Sequence, residues 1–344
     1  MNTGETNAAG SGVKKKRILS GIQPSGALTL GNYVGALRNW VELQQTGEYD
    51  CFFMLADMHT ITVRQEPKEF RKNAMDLLAL FIAAGIDPDK SPIFFQSHVP
   101  EHAELAWVLM CNTYMGELSR MTQYKDKAKK HANNLNAGLF TYPSLMAADI
   151  LLYQADLVPV GHDQSQHLEL TRDLANRFNN AYSETFVVPE AYIPKVGARI
   201  MSLQDPTQKM SKSDPNENGY ILLLDPIDKI VKKIKRAVTD SGSEVKRGEG
   251  KEGIENLISI YSAVTHKSPE DIELEFEGKG YGDFKAAVAE AVVETLRPMQ
   301  EKYRELMSDK EYLKSVYKKG AELASRTASK TVAKVYRKVG FIQP

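Results

Sequence analysis

The chain has 344 residues, 42% hydrophobic and 26% charged, and its 44 Lys and Arg balance 44 Asp and Glu to a formal net charge of zero. That length can bury a sizeable core and suits two domains, or one large domain with an insertion. The longest apolar runs, such as Leu77 to Ala84, reach eight residues, far short of the ~20 that span a bilayer, so no membrane partner is expected.

Residues 1–17 are small and polar and end in Lys14-Lys15-Lys16-Arg17, without an apolar segment of the kind a secretory signal carries. They read as a disordered lead-in, with targeting or binding as the alternative. Short β-branched and aromatic runs then alternate with helical periods, the pattern of a mostly parallel sheet. Arg17 to Ser20 reads as a first strand. A helix follows from about Gly31, with Val34, Leu37 and Val41 on one face and Gly47 as its stop. Cys51 to Ala56 reads as a buried strand ending at Asp57 and His59, and a helix spans roughly Pro67 to Ala84. Pro92 to Phe95 is a third strand, with a helix from Glu101 to Cys111. Leu157 to Val160 is another strand, followed by a helix from about Gln164 to Phe178. The two cysteines, Cys51 and Cys111, both lie in apolar segments and read as buried free thiols of a reducing compartment, with no disulfide or zinc framework.

Beyond residue 222 the texture turns helical. Asp225 can cap a helix with Pro226 at its first position and Asp228 in its first turn. Ile227, Ile230, Val231, Ile234 and Val238 then recur at helical spacing. Residues 240–253, rich in Gly, Ser and charge, read as an exposed, mobile loop. Helical patterning continues through Lys285–Met307 and Leu313–Val339. From Lys310 to Lys338 nine Lys or Arg stand against two acids, Glu311 and Glu322. Such a run is either a solvated helix face or a stripe that follows a phosphate backbone.

Two elements handle phosphate. Lys209-Met210-Ser211-Lys212-Ser213 sits on a turn-rich loop, where two ammonium groups on flexible stems can follow a phosphate whose charge grows during reaction. Gln23-Pro24-Ser25-Gly26 and Thr29-Leu30-Gly31-Asn32 follow the first strand, and a helix opening at Gly31 presents unsatisfied N–H groups. A tight turn is the plainer reading of those glycines. Asp57, His59 and the run Gly161-His162-Asp163-Gln164 also arrive at strand ends, where ligands collect in open α/β sheets. For His59 alone, packing competes with catalysis. His162 and His167 lack the carboxylate pattern of a metal site, which excludes a zinc reading. Asp149 interrupts a strongly apolar helix and needs a partner, either a nearby Arg or Lys or a donor on a ligand.

Taken together these motifs resemble the class I aminoacyl-tRNA synthetases, and within them the tryptophanyl-tRNA synthetases of bacterial type. The likeness runs from about Ile18 to the C-terminus. It is densest in Gly21 to Gly26, Gly31 to Leu37, Met146 to Tyr153, Val158 to Gly161 and Gly197 to Ser202. The resemblance implies an α/β fold in which a Rossmann-like parallel-sheet catalytic domain at 18–222, carrying the lysine loop at 207–215, joins an α-helical anticodon-binding domain at 223–310. Residues 311–344 would pack back on the body as a last helix. It implies activation of L-tryptophan by ATP with Mg²⁺, transfer to tRNA(Trp), a homodimer and a cytoplasmic location. Gln23, Pro24, Ser25, Gly31, Asn32, Gly161, His162 and Asp163 would line the ATP site, with Ile200 and Met201 by the adenine and Lys209 to Ser213 closing over the phosphates. Thr29, Asn32, Lys127, Lys209 and Lys212 would assist the chemistry, and the metal would be carried by ATP. Gly21, His59, Tyr142, Met146, Asp149, Val158, Val160 and Gln164 would hold tryptophan, with Asp149 accepting the indole N–H.

The chain departs from the class pattern at Thr29 and Asn32, which stand at histidine positions, and at His162, where an acid is more usual. Two cysteines cannot build the four-cysteine iron–sulfur cluster of some relatives. The alternatives are a tyrosyl-tRNA synthetase, a nucleotidylyltransferase that makes dinucleotides, and a tRNA-binding paralogue that charges nothing.

Overall fold

The computed structural model describes residues 15–125, 135–161, 164–192 and 199–342. Lys127, His162, Asp163, Gly197 and most of the lead-in therefore lie outside the described residues. β1 (Lys16–Ile22) leads to a helical opening α1 (Leu30–Asn32), a π-helical stretch at Tyr33–Leu37, and α2 (Arg38–Thr46). Gly47 ends α2 in the left-handed region at φ 67°, the C-cap conformation that a Cβ disfavours. Then come β2 (Tyr49–Leu55), α3 (Asp57–Thr60), α4 (Pro67–Ala83), β3 (Ile93–Phe95), α5 (Glu101–Met110), α6 (Met115–Arg120) and α7 (Ala137–Leu152). β4 (Leu157–Pro159), α8 (Ser165–Tyr182) and β5 (Glu190–Tyr192) complete the sheet region.

The five strands pair in parallel in the order β3-β2-β1-β4-β5, with Ile18 opposite both Cys51 and Leu157. Alternating side chains separate two cores. Ile18, Cys51, Phe53, Leu55, Ile93 and Phe95 face one way, against Trp40 of α2 and Leu77, Leu78 and Phe81 of α4. Leu19, Phe52, Met54 and Phe94 face the other, against α5, α7 and α8. A sheet covered on both faces needs apolar residues at consecutive positions, which is why these strands read as unbroken runs. β5 has no such pattern, because its first two residues are exposed, and it escaped the sequence reading.

α9 (Ile227–Lys235), α10 (Glu252–Thr265), α11 (Pro269–Glu275), α12 (Tyr281–Ser308) and α13 (Lys310–Val339) follow. α13 returns to the sheet. Its Gly320 lies so close to β3 that an added Cβ would sit 2.0 Å from the Ile93 carbonyl oxygen, and Ala324, Ala328, Val332 and Val335 join the second core.

Four local expectations are corrected. Asp225 does not cap α9. Its Oδ2 accepts from the Leu222 N–H at 3.0 Å and from Lys233 Nζ at 2.7 Å. Lys233 is 1% exposed, and a buried ammonium needs that carboxylate more than the helix end does. Val238 lies beyond the end of α9, and its side chain is exposed. Residues 240–251 form no helix or strand and are mostly exposed as expected, but Glu252 and Gly253 already belong to α10 and the loop is anchored. Asp240 accepts from Tyr281 Oη, Arg247 bridges Glu270 and Glu273, and Val245 is buried. Of the two thiols only Cys51 is buried, and burial pushes it up to about 12. Cys111 is exposed, one turn beyond Trp107 on the outward face of α5.

Candidate active site

The carboxyl ends of β1 and β4 meet where the strand order reverses, the position at which open α/β sheets bind ligands. A cavity of about 410 Å³ opens there. Gly21, Gln23 and Asn32 line one end. His59, Tyr142, Met146, Asp149, Val158, Val160 and Gln164 line the rest, with Gln123 added by the structure.

At the first end, Thr29 and Asn32 hold each other. The Thr29 N–H and hydroxyl both donate to Asn32 Oδ1 at 2.9 Å, and the Asn32 N–H donates to Thr29 Oγ1 at 3.3 Å. This reciprocal cap satisfies donors at the helix opening. Its consequence is directional, because Oδ1 is engaged and the Nδ2 amine is the end of Asn32 left for a ligand. Thr29 is 2% exposed and does not line the cavity, and its hydroxyl is engaged with Asn32.

The lysine loop runs out from the second arm of a small hairpin whose turn is Leu203 to Thr207. Met210 N–H donates to the Ile200 carbonyl at 3.0 Å, Ser202 N–H donates to the Gln208 carbonyl at 2.8 Å, and Met201 lies opposite Lys209. Buried Ile200 and Met210 press on the helix opening, within ordinary contact of a Cβ built on Gly31. Ile200 is thus placed under the first element rather than in the cavity wall. Lys212 Nζ donates to the Ser25 carbonyl at 2.7 Å. This contact closes the loop over Gln23 to Gly26, whose Pro24 is buried and Ser25 exposed. Burial of the ammonium holds Lys212 below the usual lysine range, although the residue as a whole is exposed. Lys209, Ser211 and Ser213 are exposed.

At the other end lies Asp149, 2% exposed in α7. Among the described residues neither Arg nor Lys pairs with it. Oδ2 takes His59 Nε2 at 2.7 Å, while Oδ1 takes Gln96 Nε2 at 2.7 Å and His102 Nδ1 at 2.6 Å. An ionised carboxylate only accepts, so His59 presents Nε2–H and His102 presents Nδ1–H. Tyr153 Oη then donates to His102 Nε2 at 2.8 Å. Burial alone would raise the Asp149 carboxyl, but the charge of His59 and the hydrogen bonds from His102 and His59 outweigh it and hold the group at about 2. Oδ2 keeps a second lone pair for a ligand donor. The Tyr142 hydroxyl, raised by burial, meets His167 Nε2 at 2.8 Å.

Gln96 and His102 were missed in the sequence. Each carried a signal: Gln96 follows β3 at its carboxyl end, and His102 is a polar residue on the apolar face of α5.

A parallel sheet of this order, with a lysine loop reaching over the first strand-to-helix turn, is the arrangement that the resemblance to the class I aminoacyl-tRNA synthetases implies. The model of the tRNA synthetases class I (W and Y) matches residues 13–297. A tryptophan--tRNA ligase of Clostridium perfringens is 57% identical over 329 residues, 96% of this chain and 98% of that protein. One of Clostridium tetani is also 57% identical, over 95% of this chain and 96% of that protein. A tryptophanyl-tRNA synthetase structure from Mycoplasma pneumoniae superposes with a TM-score of 0.86 at 39% identity, covering 96% of this chain and 99% of that one. One from Campylobacter jejuni, complexed with ADP and tryptophan, gives 0.80 at 37%, covering 94% and 100%. The chain belongs to the tRNA synthetases class I (W and Y), and among them to the tryptophanyl-tRNA synthetases of bacterial type.

Proposed function

We propose that this chain activates L-tryptophan with ATP and transfers it to the 3′ end of tRNA(Trp). The observation that carries the reading is the buried Asp149 carboxylate, held by three donors in a cavity that runs to the phosphate-side residues Gln23 and Asn32. The relative from Campylobacter jejuni, solved with ADP and tryptophan, supports both halves of the site.

In the first step a carboxylate oxygen of tryptophan attacks the α-phosphorus of ATP. One O–P bond forms, the bond to the β-phosphate oxygen breaks, and pyrophosphate leaves with the electron pair. The attacking group is an anion at neutral pH, so no general base is required. Rate comes from alignment and from charges that meet the leaving group. Lys209 and Lys212 supply those charges, Asn32 Nδ2 donates to a phosphate oxygen, and Thr29 keeps Asn32 in that orientation. Lys127, His162 and Asp163 join the ATP site as their motif positions imply, Lys127 at the distal phosphates. As the resemblance implies, Mg²⁺ would be carried by ATP and would offset phosphate charge as pyrophosphate leaves.

Specificity rests on polar satisfaction. The indole N–H completes Asp149, whereas phenylalanine leaves the carboxylate short of a donor and is rejected without editing. Tyr142 and Gln164 hold the amino group. The helices after Asp225 read the anticodon. Two copies associate through the exposed apolar side chains Trp107, Tyr114 and Met115 on α5 and α6. No helix among the described residues is long and apolar enough to cross a membrane, and we place the enzyme in the cytoplasm.

The test is amino-acid-dependent ATP–pyrophosphate exchange with all twenty amino acids. Exchange with tryptophan alone is expected. Exchange with tyrosine removes Asp149 from the indole role, and none at all favours a paralogue that charges nothing.

A further inference from the structure

Asn256 is 4% exposed on the buried face of α10, among Ile254, Leu257, Ile258 and Ile260. A polar side chain there costs stability unless its hydrogen bonds are made. They are made to one place. Oδ1 accepts from the Met201 N–H at 2.8 Å, and Nδ2 donates to the Met201 carbonyl at 3.0 Å and lies 3.4 Å from that of Ser202. Both polar groups of Met201 are therefore held by a single amide, as a neighbouring strand would hold them.

The alternation along this segment gives the contact its meaning. The Ile200 carbonyl and the Ser202 N–H point into the lysine hairpin, toward Met210 and Gln208. Met201 points the other way, to α10, while its cross-strand partner is Lys209. One short segment thus has the lysine loop on one edge and Asn256 on the other.

We propose that Asn256 is a positioning residue for adenylate formation, setting the root of the lysine hairpin and through it the placement of Lys209 and Lys212. The proposal rests on the activation chemistry of the preceding section. It assigns the geometry of the phosphate clamp to a side chain that touches neither substrate and belongs to the helical part of the chain. Movement of α10 relative to the sheet displaces Met201, and Lys209 moves with it.

The experiment uses the full chain and steady-state ATP–pyrophosphate exchange, with tryptophan binding measured separately by equilibrium dialysis without ATP. Asn256→Leu keeps the volume and removes both hydrogen bonds. It should lower kcat by roughly tenfold to a hundredfold and leave tryptophan affinity unchanged. Asn256→Ala, which leaves room for a water at Met201, should lose less, and it serves if the leucine variant does not fold. The deciding measurement is a double-mutant cycle. In a Lys212→Ala background the Asn256 substitution should cost little more, because the group it positions is already gone. Full additivity with Lys212→Ala, equal losses in kcat and tryptophan binding, or a folded variant with wild-type kcat would each overturn the assignment. Absence of exchange in the wild-type chain would instead point to the activation chemistry itself.

Discussion

Asp149→Asn is the substitution whose outcome the geometry determines most closely. The amide keeps one oxygen, which can retain both Gln96 and His102 at the Oδ1 position. The other atom becomes an NH₂ and faces His59 Nε2, now a donor against a donor. His59 can answer by exchanging its ring proton to Nδ1 and accepting instead, so the fold should survive. The indole N–H cannot answer, since it only donates. A hydrogen bond to a charged group is worth about 1.5–3 kcal/mol, so KM for tryptophan should rise roughly 10- to 150-fold. Pyrophosphate exchange at varied tryptophan measures this. A tryptophan analogue with sulfur in place of the ring N–H serves as the control, because its KM should barely change. An equal rise for both substrates would refute the indole contact and leave Asp149 a purely structural carboxylate. The same substitution has a stability signature. The Asp149 carboxyl is depressed from the ordinary 3.8 to about 2. Its stabilisation is fully present above pH 3.8 and is lost as pH falls through about 2. The loss amounts to about 2 kcal/mol, and Asp149→Asn should flatten that limb of a chemical-denaturation series.

Gly26→Ala strains a backbone at φ 129° and places a methyl 2.7 Å from Lys212 Nζ, so kcat for exchange should fall with little change in tryptophan affinity. Gly320→Ala drives a Cβ into the Ile93 backbone. Overpacking of this kind costs about 1–3 kcal/mol, and a lower Tm by calorimetry with the active site intact is the expected result. Lys233→Met leaves Asp225 buried beside only the half-exposed Lys229, 3.5 Å from Oδ1. The loss should reach about 3 kcal/mol, the lower end of the range for broken buried pairs, and urea unfolding with an unchanged midpoint would contradict the packing argument. On the proposed association of two copies, the chain should sediment as a dimer at micromolar protein and Trp107→Asp as a monomer; a variant that stays dimeric would move the interface away from α5.

Much of this architecture was legible in the chain because its signals are local. Consecutive apolar positions announced β1 to β4, and Gly47 announced the end of α2. Asp149 stood out because a carboxylate in an apolar helix is costly. Its actual partners were not legible. His59, Gln96 and His102 come from three separate elements and converge only once the sheet is formed. Asp225 misled for the same reason, since its attraction to Lys233 inside the fold outweighs the capping pattern visible around Pro226. Thr29 and Asn32 suggested two phosphate donors by position, whereas their mutual cap leaves one amine facing outward. Lys127, His162 and Asp163 fall outside the described residues, and their roles remain assignments from the motif.

The seating of α13 on β3 bears on how the molecule is made. β3 is a terminal strand of the sheet, and the element lying against its backbone at Gly320 belongs to the last described helix. During synthesis the sheet strands emerge first, while the helix that shields this rim is still untranslated. Until then the rim offers unpaired amides to any neighbouring nascent chain, the circumstance in which chaperones find their clients. Completion of the sheet therefore waits for α13 to be translated, and a ribosome stalled before α13 would hold a sheet whose rim is open.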